Sequence, residues 1–414
     1  MASNLTNINA ALKYLYLPRL QSVVNTRNVL SSRLQTNTDL TSVSGRSAVV
    51  PINIRPSQAI GARADEGALP TPQQQTYVEC QIPYKYNYAT IRITHQAIAA
   101  SRNDEGSFIR VISSEMEGIE RDLRNDMNRQ HFGAGEGSLG TIASADNSAN
   151  TITMDSTTHQ VKTGMVIDVW QNASGSHAAR NTALTVNSVS GAVVTVAAAT
   201  ISSIAATDWV TRTASRAAGT AEANRYERMG LEGIVNNDTG TFQNISRNTY
   251  PEWKAQVFDN SGSERAITAN ILDDALLTIE EQGEGTVSFG ITNRIQYRKI
   301  ADLMTANRRY TPGDQQKFEG GFTAIEWGGV PIVFDRDCHP QSNAAADTDD
   351  DVLYFLDEDT LGFYELSDFD FDDEDGDVLH RQQGYAYYDA TLFKYGNMGC
   401  TDPANNGVIK DLTR

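Results

Sequence analysis

Residues 45 to 133 constrain the fold of this chain most, because a long two-stranded ribbon runs directly into one long amphipathic helix. From Ala48 to Arg55 apolar side chains fall on alternate positions (Val50, Ile52, Ile54), and from Thr76 to Pro83 they do so again (Val78, Cys80, Ile82). Period two is the mark of strands with one buried face. Residues 56–75 between them hold Gly61, Gly67, Pro70 and Pro72, with Arg63, Asp65 and Glu66 at a tip too polar to pack inward. Connections of this length are uncommon inside compact domains, and an isolated ribbon is marginal in water. The expectation is a hairpin with no core of its own, completed by contacts on another molecule.

The spacing then changes to that of a helix. Phe108, Ile112, Met116, Ile119, Leu123 and Met127 keep one apolar stripe, with Asn103 or Asp104 as cap and Gly133 as stop. At 1.5 Å per residue such a helix spans about 40 Å. Its other face mixes Glu115, Glu117, Glu120, Arg121, Asp122, Arg124 and Asp126. That mixture predicts a solvated or interfacial surface with local ion pairs, not a basic stripe for nucleic acid.

Upstream, Ile8 to Tyr16 and Leu20 to Leu34 are short helical patterns split by Pro18, which read as an extended arm. Downstream, Gly133, Gly135, Gly137 and Gly140 lead into residues 141 to 214, where short Thr, Val and Ile runs alternate with turn residues. That texture predicts a small antiparallel barrel or sandwich, inserted into the remainder. Past residue 215, helices at Thr268 to Glu281 and Asn293 to Ala306 interleave with strands at Thr286 to Ile291, Val330 to Asp335, Val352 to Leu356, Leu361 to Leu366 and Tyr385 to Tyr395. One layered domain follows from that order.

A chain of 414 residues exceeds one ordinary core and should divide into two or three units. No stretch approaches the ~20 apolar residues that cross a bilayer, and the start lacks the pattern of a secretory signal, so a soluble protein made in cytoplasm is expected. Cys80, Cys338 and Cys400 are few, odd in number and far apart, which predicts free thiols. Asp347 to Asp377 holds fifteen acidic residues and no Lys or Arg, so a net charge of −18 leaves about −3 for the remainder. A near-neutral body could enclose DNA but not grip it by counterion release.

Chemical motifs fail one by one. Gly135, Gly137 and Gly140 have dinucleotide-fingerprint spacing, but a helix precedes them and β texture follows, the reverse of what a pyrophosphate site needs. Asp373, Asp375, Gly376 and Asp377 fit inner positions of a calcium loop, yet Phe371 and Gln382 stand where its first and closing carboxylates belong. Loose divalent-ion binding stays open there, beside a solvated acidic face or a partner for arginines. Cys338 and His339 point apart on an extended chain. No catalytic constellation emerges, and no cofactor is expected. The one basic concentration, Arg294, Arg298, Lys299, Arg308, Arg309 and Lys317, suits pairing with a neighbour's carboxylates.

In linear order (arm, hairpin, long helix, β insertion, α/β domain, acidic return) the chain resembles the major capsid proteins of tailed bacteriophages. The likeness rests on Gly61 to Pro70, on Pro83-Tyr84-Lys85-Tyr86 leading to Ile93-Thr94, and on the Ser101 to Gly133 helix. It continues through Ser246-Arg247, Tyr250-Pro251-Glu252-Trp253-Lys254-Ala255, Asp302-Leu303-Met304 and Arg308-Arg309-Tyr310. Gly329-Val330-Pro331-Ile332-Val333, Asp335 to Pro340 and Leu361-Gly362-Phe363-Tyr364 complete it. The resemblance implies an α+β Hong Kong 97-like capsid fold with an N-terminal arm (1–44), an E loop (45–83), a P domain with a long spine helix (84–133) and an inserted small β-domain (134–214). A mainly A domain (215–345) and an acidic return segment completing the A and P domains (346–414) would follow. It further implies assembly into hexamers and pentamers of an icosahedral head around double-stranded DNA, in a host cytoplasm, with portal, scaffold and decoration proteins as partners and no membrane. Subunit contacts are then expected at Arg46, Arg55, Arg63, Asp65, Glu66, Arg294, Arg298, Arg308, Arg309, Asp368 and Asp370. Some relatives lock neighbours through an E-loop lysine; this chain has no lysine between Lys13 and Lys85, so no such crosslink is expected. No assembly segment precedes the arm, so a scaffold would be a separate or removed chain. An encapsulin-like cargo shell, or a metal-dependent hydrolase around Asp368 to Asp377, are the alternatives.

Overall fold

The computed structural model describes residues 29–37, 43–44, 46–57, 59–65, 67–96, 105–147, 149–154, 160–172, 177–197, 201, 203–219, 222–283, 285–307, 324–338, 351–373, 378–381 and 383–413. A six-stranded mixed sheet organises the C-terminal half. Its spatial order is Gln256–Phe258, Gly407–Leu412, Asp351–Leu356, Phe289–Thr292, Val330–Phe334 and Ile325–Trp327. Every residue of Asp351–Leu356 is buried, as a strand covered on both faces requires. Leu353, Phe355 and Ile409 pack on one side against Leu272, Ala275 and Ile279 of the helix Ala269–Gly283 and Ile300 of the helix Arg294–Asn307. On the other side Ile291, Val333, Tyr354 and Val408 enter the largest core. Asn293 starts the second helix by accepting from the backbone N–H groups of Ile295 and Gln296 at 3.0 and 2.9 Å.

A second sheet carries the long helix. Leu361–Phe371 and Tyr387–Cys400 pair antiparallel, Lys85–Thr94 joins the far edge of Tyr387–Cys400, and Gln35–Asn37 runs parallel to Leu361–Phe371. The helix, Glu105–Gln130, lays Met116, Ile119, Leu123 and Met127 on Ile91, Ile93, Phe371 and Leu392. Its expected cap at Asn103 or Asp104 lies outside the described residues. The polar face is exposed at Glu115, Glu117, Arg121 and Asp122 and carries the expected local pairs Glu120–Arg124 and Asp126–Arg129, but Glu120 and Arg124 are buried and Asp126 also meets Arg212. The β insertion reaches this end of the helix through Arg212 on Asp126 and through the Ser138 carbonyl, which accepts from Arg129.

The insertion is a closed barrel of Ser138–Asp146, Thr151–Met154, Val166–Trp170, Ala179–Ser190, Val193–Val196 and Trp209–Arg212. Its interior is filled by Leu139, Ile152, Ile167, Val169, Val186, Val194 and Val210. Gly135 and Gly137, at φ +77° and +79°, make the turn into it. A Cβ on Gly137 would lie 2.7 Å from the Ser215 hydroxyl, so the turn needs glycine for space as well as backbone.

The hairpin strands are Ser47–Arg55 and Thr76–Pro83, in register from Ser47↔Pro83 to Arg55↔Thr76. Contrary to a hairpin without a core, Ala48, Cys80 and Ile82 are fully buried and Val50, Ile52, Ile54 and Val78 pack on the main core of the same chain. The alternating apolar face is already satisfied by Phe242, Ile245 and Trp253 together with Leu361, Met398 and Cys400. Part of the arm is built in as well: Val29 and Leu30 of the short helix Val29–Arg33 and the following Leu34 are buried, and Arg33 bonds Glu358. The acidic return segment is not wholly a solvated face either. Asp351 is buried and accepts from the Gln296 amide at 3.0 Å, and Leu361–Phe371 is a core strand.

Candidate assembly surfaces

Among the described residues, those expected to meet other molecules fall on three surfaces. The first is the hairpin tip, residues 56–75. Ile60 and Leu69 are 86% and 85% exposed there, a large apolar exposure for a short segment. The tip is tied by its own bonds: Arg63 donates through Nε to the Ala68 carbonyl at 2.9 Å and through Nη1 to that of Ala62 at 3.0 Å, and Gly67 N–H donates to Ala64 at 2.9 Å. Asn53 to Gln75 (3.0 Å) and Ser57 to Gln73 (2.9 Å) hold the base together. A preformed tip loses less entropy when it docks than a floppy one.

Behind the tip, Arg55 grips Glu252 of its own chain at 2.9 and 3.3 Å and lies over the Tyr250 ring. The hydrogen bond to Glu252 raises the Arg55 guanidinium above its ordinary value and lowers the Glu252 carboxyl. Both groups face water, so the pair orients the shaft more than it stabilises it.

The second surface is the sheet face turned away from the long helix. Cross-strand register sets Tyr86 beside Tyr395 and Tyr88 beside Phe393. Ring centroids are 5.0 Å apart for Tyr86–Tyr395, 5.6 Å for Tyr88–Tyr395 and 4.9 Å for Phe393–Tyr395. Tyr86, Tyr88 and Leu366 are exposed. Arg92, held by Asp389 at 2.8 and 3.0 Å, stacks on Tyr387. Asp368 and Asp370 sit on the neighbouring strand, Asp368 within 3.3 Å of the Lys394 ammonium.

The third is the start of the helix Arg294–Asn307, where Arg294 and Arg298 are exposed one turn apart. Of the remaining expected contact residues, Arg46 is exposed at the hairpin base and Asp65 at the tip, while Glu66, Arg308 and Arg309 lie outside the described residues. The expected residues thus fall on separate parts of one subunit.

Sequence reasoning missed a buried ionic joint between helix, barrel and body. Arg129 bonds Glu227 at 2.6 Å, Asp126 at 3.2 Å and the Ser138 carbonyl at 2.8 Å; Arg212 of the barrel reaches the same Asp126 at 2.9 Å. Burial works against the Asp126 charge, and the Arg129 and Arg212 guanidiniums more than offset it, holding that carboxyl below its ordinary value. Beside it Glu136 takes Arg216 and Arg225, and Arg216 faces both Trp170 and Trp209. Apart from the i,i+3 pair Asp126–Arg129, its partners are far apart in sequence, so local spacing does not announce the joint. The three thiols are buried and free, and burial pushes Cys80 up to about 12 and raises Cys338 and Cys400 as well, so none is a ready thiolate. Among the described residues no group of three His, Cys, Asp or Glu could hold a metal ion, and no helix is long and apolar enough to cross a membrane.

A solved structure shares this architecture. A chain of the cyanophage A-1(L) capsid asymmetric unit is 14% identical with a TM-score of 0.55, over 95% of this chain and 93% of that one. The holo-SrpI encapsulin complex from Synechococcus elongatus PCC 7942 (8% identity, TM-score 0.48, 94% and 89% covered) and the capsid of a native GTA particle (10%, 0.47, 94% and 91%) are more distant in shape. No family model and no curated protein matches the chain. The chain has the mixed α and β, Hong Kong 97-like capsid fold that its linear order resembles.

Proposed function

We propose that this chain is the major capsid protein of a tailed bacteriophage, a subunit that assembles into hexamers and pentamers of an icosahedral head around double-stranded DNA. The observation that carries the reading is the preformed hairpin tip, which presents Ile60 and Leu69 to solvent on a fold shared with a phage capsid chain. Two large apolar side chains exposed on an otherwise polar tip are contacts that a neighbouring copy would cover. In this reading residues 45–83 are the E loop, 84–133 the P domain with its spine helix, 215–345 mainly the A domain, 134–214 the insertion, 1–44 the arm, and 346–414 the segment that completes A and P. The tip, with Arg63 as its cation, seats on the aromatic sheet face of the next copy, where Asp368 and Asp370 supply the opposite charge. Arg294 and Arg298, with Arg308 and Arg309 further along, serve the rim between A domains. Portal, scaffold and decoration proteins are the remaining partners, and enclosed DNA is contained without sequence-specific contact. The role is structural, not enzymatic.

Analytical ultracentrifugation of the full chain tests this, beside a variant lacking residues 59–70. Large closed particles from the full chain, and folded but unassembled subunits from the variant, are expected. Equal particle yield from both would overturn the role of the tip. Particles that package protein cargo and exclude DNA in the host would favour the encapsulin-like alternative.

A further inference from the structure

Two carboxylates from one loop converge on a single amide of the long helix. Asn128 Nδ2 donates to Asp335 Oδ1 at 2.9 Å and to Asp337 Oδ2 at 2.8 Å, while the Gln160 amide, from the barrel side, donates to the other Asp337 oxygen. Asn128, Asp335 and Asp337 are all buried, and the Asn128 carbonyl oxygen finds no donor among the described residues. One small loop after the strand Val330–Phe334 therefore ties three parts together: layered sheet, long helix and barrel. We propose that Asp335 and Asp337 form an acid-set catch, which holds the end of the long helix to the layered sheet more firmly when Asp335 takes up a proton than when both carboxylates are ionised.

The surrounding groups favour that proton. Burial first, and then the Asp337 charge, push the Asp335 carboxyl from 3.8 up to about 6, against the Asp337 N–H and Asn128 bonds that lower it. Asp351 lies close enough to act with both on the Cys338 thiol, which burial keeps neutral. The cation at the loop, Arg336, is largely exposed and 3.4 Å from Asp337. On the helix, Arg124 is engaged by Glu120, and Lys162, near Gln160, is exposed. His131 faces Phe363, and burial and then Arg228 hold its imidazole well below 6.5, so its protonation would loosen the helix end rather than tighten it. A proton from solvent on Asp335 removes one of two like charges buried together. The Asn128 bond and the Arg336 charge favour the ionised form, so the gain comes from burial and from relief of the Asp337 repulsion, and the Asn128 bond is kept but weakened. Because the folded value is raised, the added stability is complete below about 3.8 and fades as pH rises through about 6.

Native-state hydrogen exchange on the full chain as unassembled subunits reads this directly. After correction for intrinsic exchange, protection of residues 125–130 and 335–338 should rise about tenfold from about pH 7.5 to pH 5, with barrel amides such as Val169 and Val186 unchanged. Asp335→Asn should flatten that dependence. Asn128→Ala should remove it from the helix end while leaving it at 335–338, which keeps the test decisive if D335N does not fold. A flat wild-type profile, an undiminished dependence in D335N, or an intact helix-end response in N128A would each overturn the catch. The inference concerns the subunit alone and stands or falls apart from the capsid reading.

Discussion

Replacing Ile82 by Ala asks whether the hairpin belongs to its own subunit. Ile82 is fully buried, and a Cβ on Gly399 would come within 2.4 Å of its Cδ1 and 2.7 Å of the Tyr364 ring. The strand Tyr387–Cys400 therefore approaches the hairpin as closely as a residue without a side chain allows. Truncation removes three carbons, about 2.4 kcal/mol of transfer energy at ~0.8 per methylene. The backbone of Gly399 and the packed Tyr364 ring leave little room to collapse, so a cavity term should bring the loss to about 3–4 kcal/mol. Because barrel and body need not unfold together, the assay is hydrogen exchange at Gln81, whose N–H donates to the Gln243 carbonyl at 2.9 Å, in unassembled subunits. Loss of protection at Gln81 by that amount, with barrel amides as an unchanged control, is expected. A change below about 1 kcal/mol would mean that the ribbon gains its burial only from a neighbour, and the docked-shaft account would fail.

Other outcomes follow from the same geometry. Arg129→Met strips Glu227 and Asp126 of a buried partner and should cost about 3–5 kcal/mol, with part recovered in the R129M/E227Q double variant; thermal melts of the two decide it. The three thiols should resist a disulfide-exchange reagent near neutral pH and react together on denaturation; a fast-reacting thiol in the native chain would contradict their burial. Arg55→Ala should leave subunit stability in urea essentially unchanged, since the ion pair with Glu252 is exposed, and a clear loss would show that pair to be structural. Denaturing electrophoresis of particles should give one monomer band, because no lysine stands between Lys13 and Lys85; a covalent ladder would refute it.

Much of this fold was legible where periodicity is strong. Alternation at 48–55 and 76–83 matched Ser47–Arg55 and Thr76–Pro83 nearly residue for residue, and the Met116 to Met127 stripe is the face that meets the sheet. Periodicity reports which side of an element is apolar, not what lies against it, and so the hairpin was read as lacking a core that Phe242 and Met398 supply. Charge density misled in the same way. Asp351 and Asp126 read as parts of solvated faces, but Asp351 is buried against Gln296, 55 residues away in sequence, and Asp126 meets Arg212, 86 residues away. The polar tip was legible as a projection, although Ile60 and Leu69 were not singled out. The aromatic face was hidden in plain spacing: Tyr86 and Tyr88 share one parity, Phe393 and Tyr395 another, and pairing the two strands puts all four on one side.

Cryo-electron microscopy of particles formed by the full chain tests the central claim most directly. The account predicts closed icosahedral shells in which Ile60 and Leu69 of each hairpin rest on the Tyr86, Tyr88 and Tyr395 face of the adjoining subunit. Folded single subunits at high concentration, or shells whose hairpin tips touch only solvent, would contradict it.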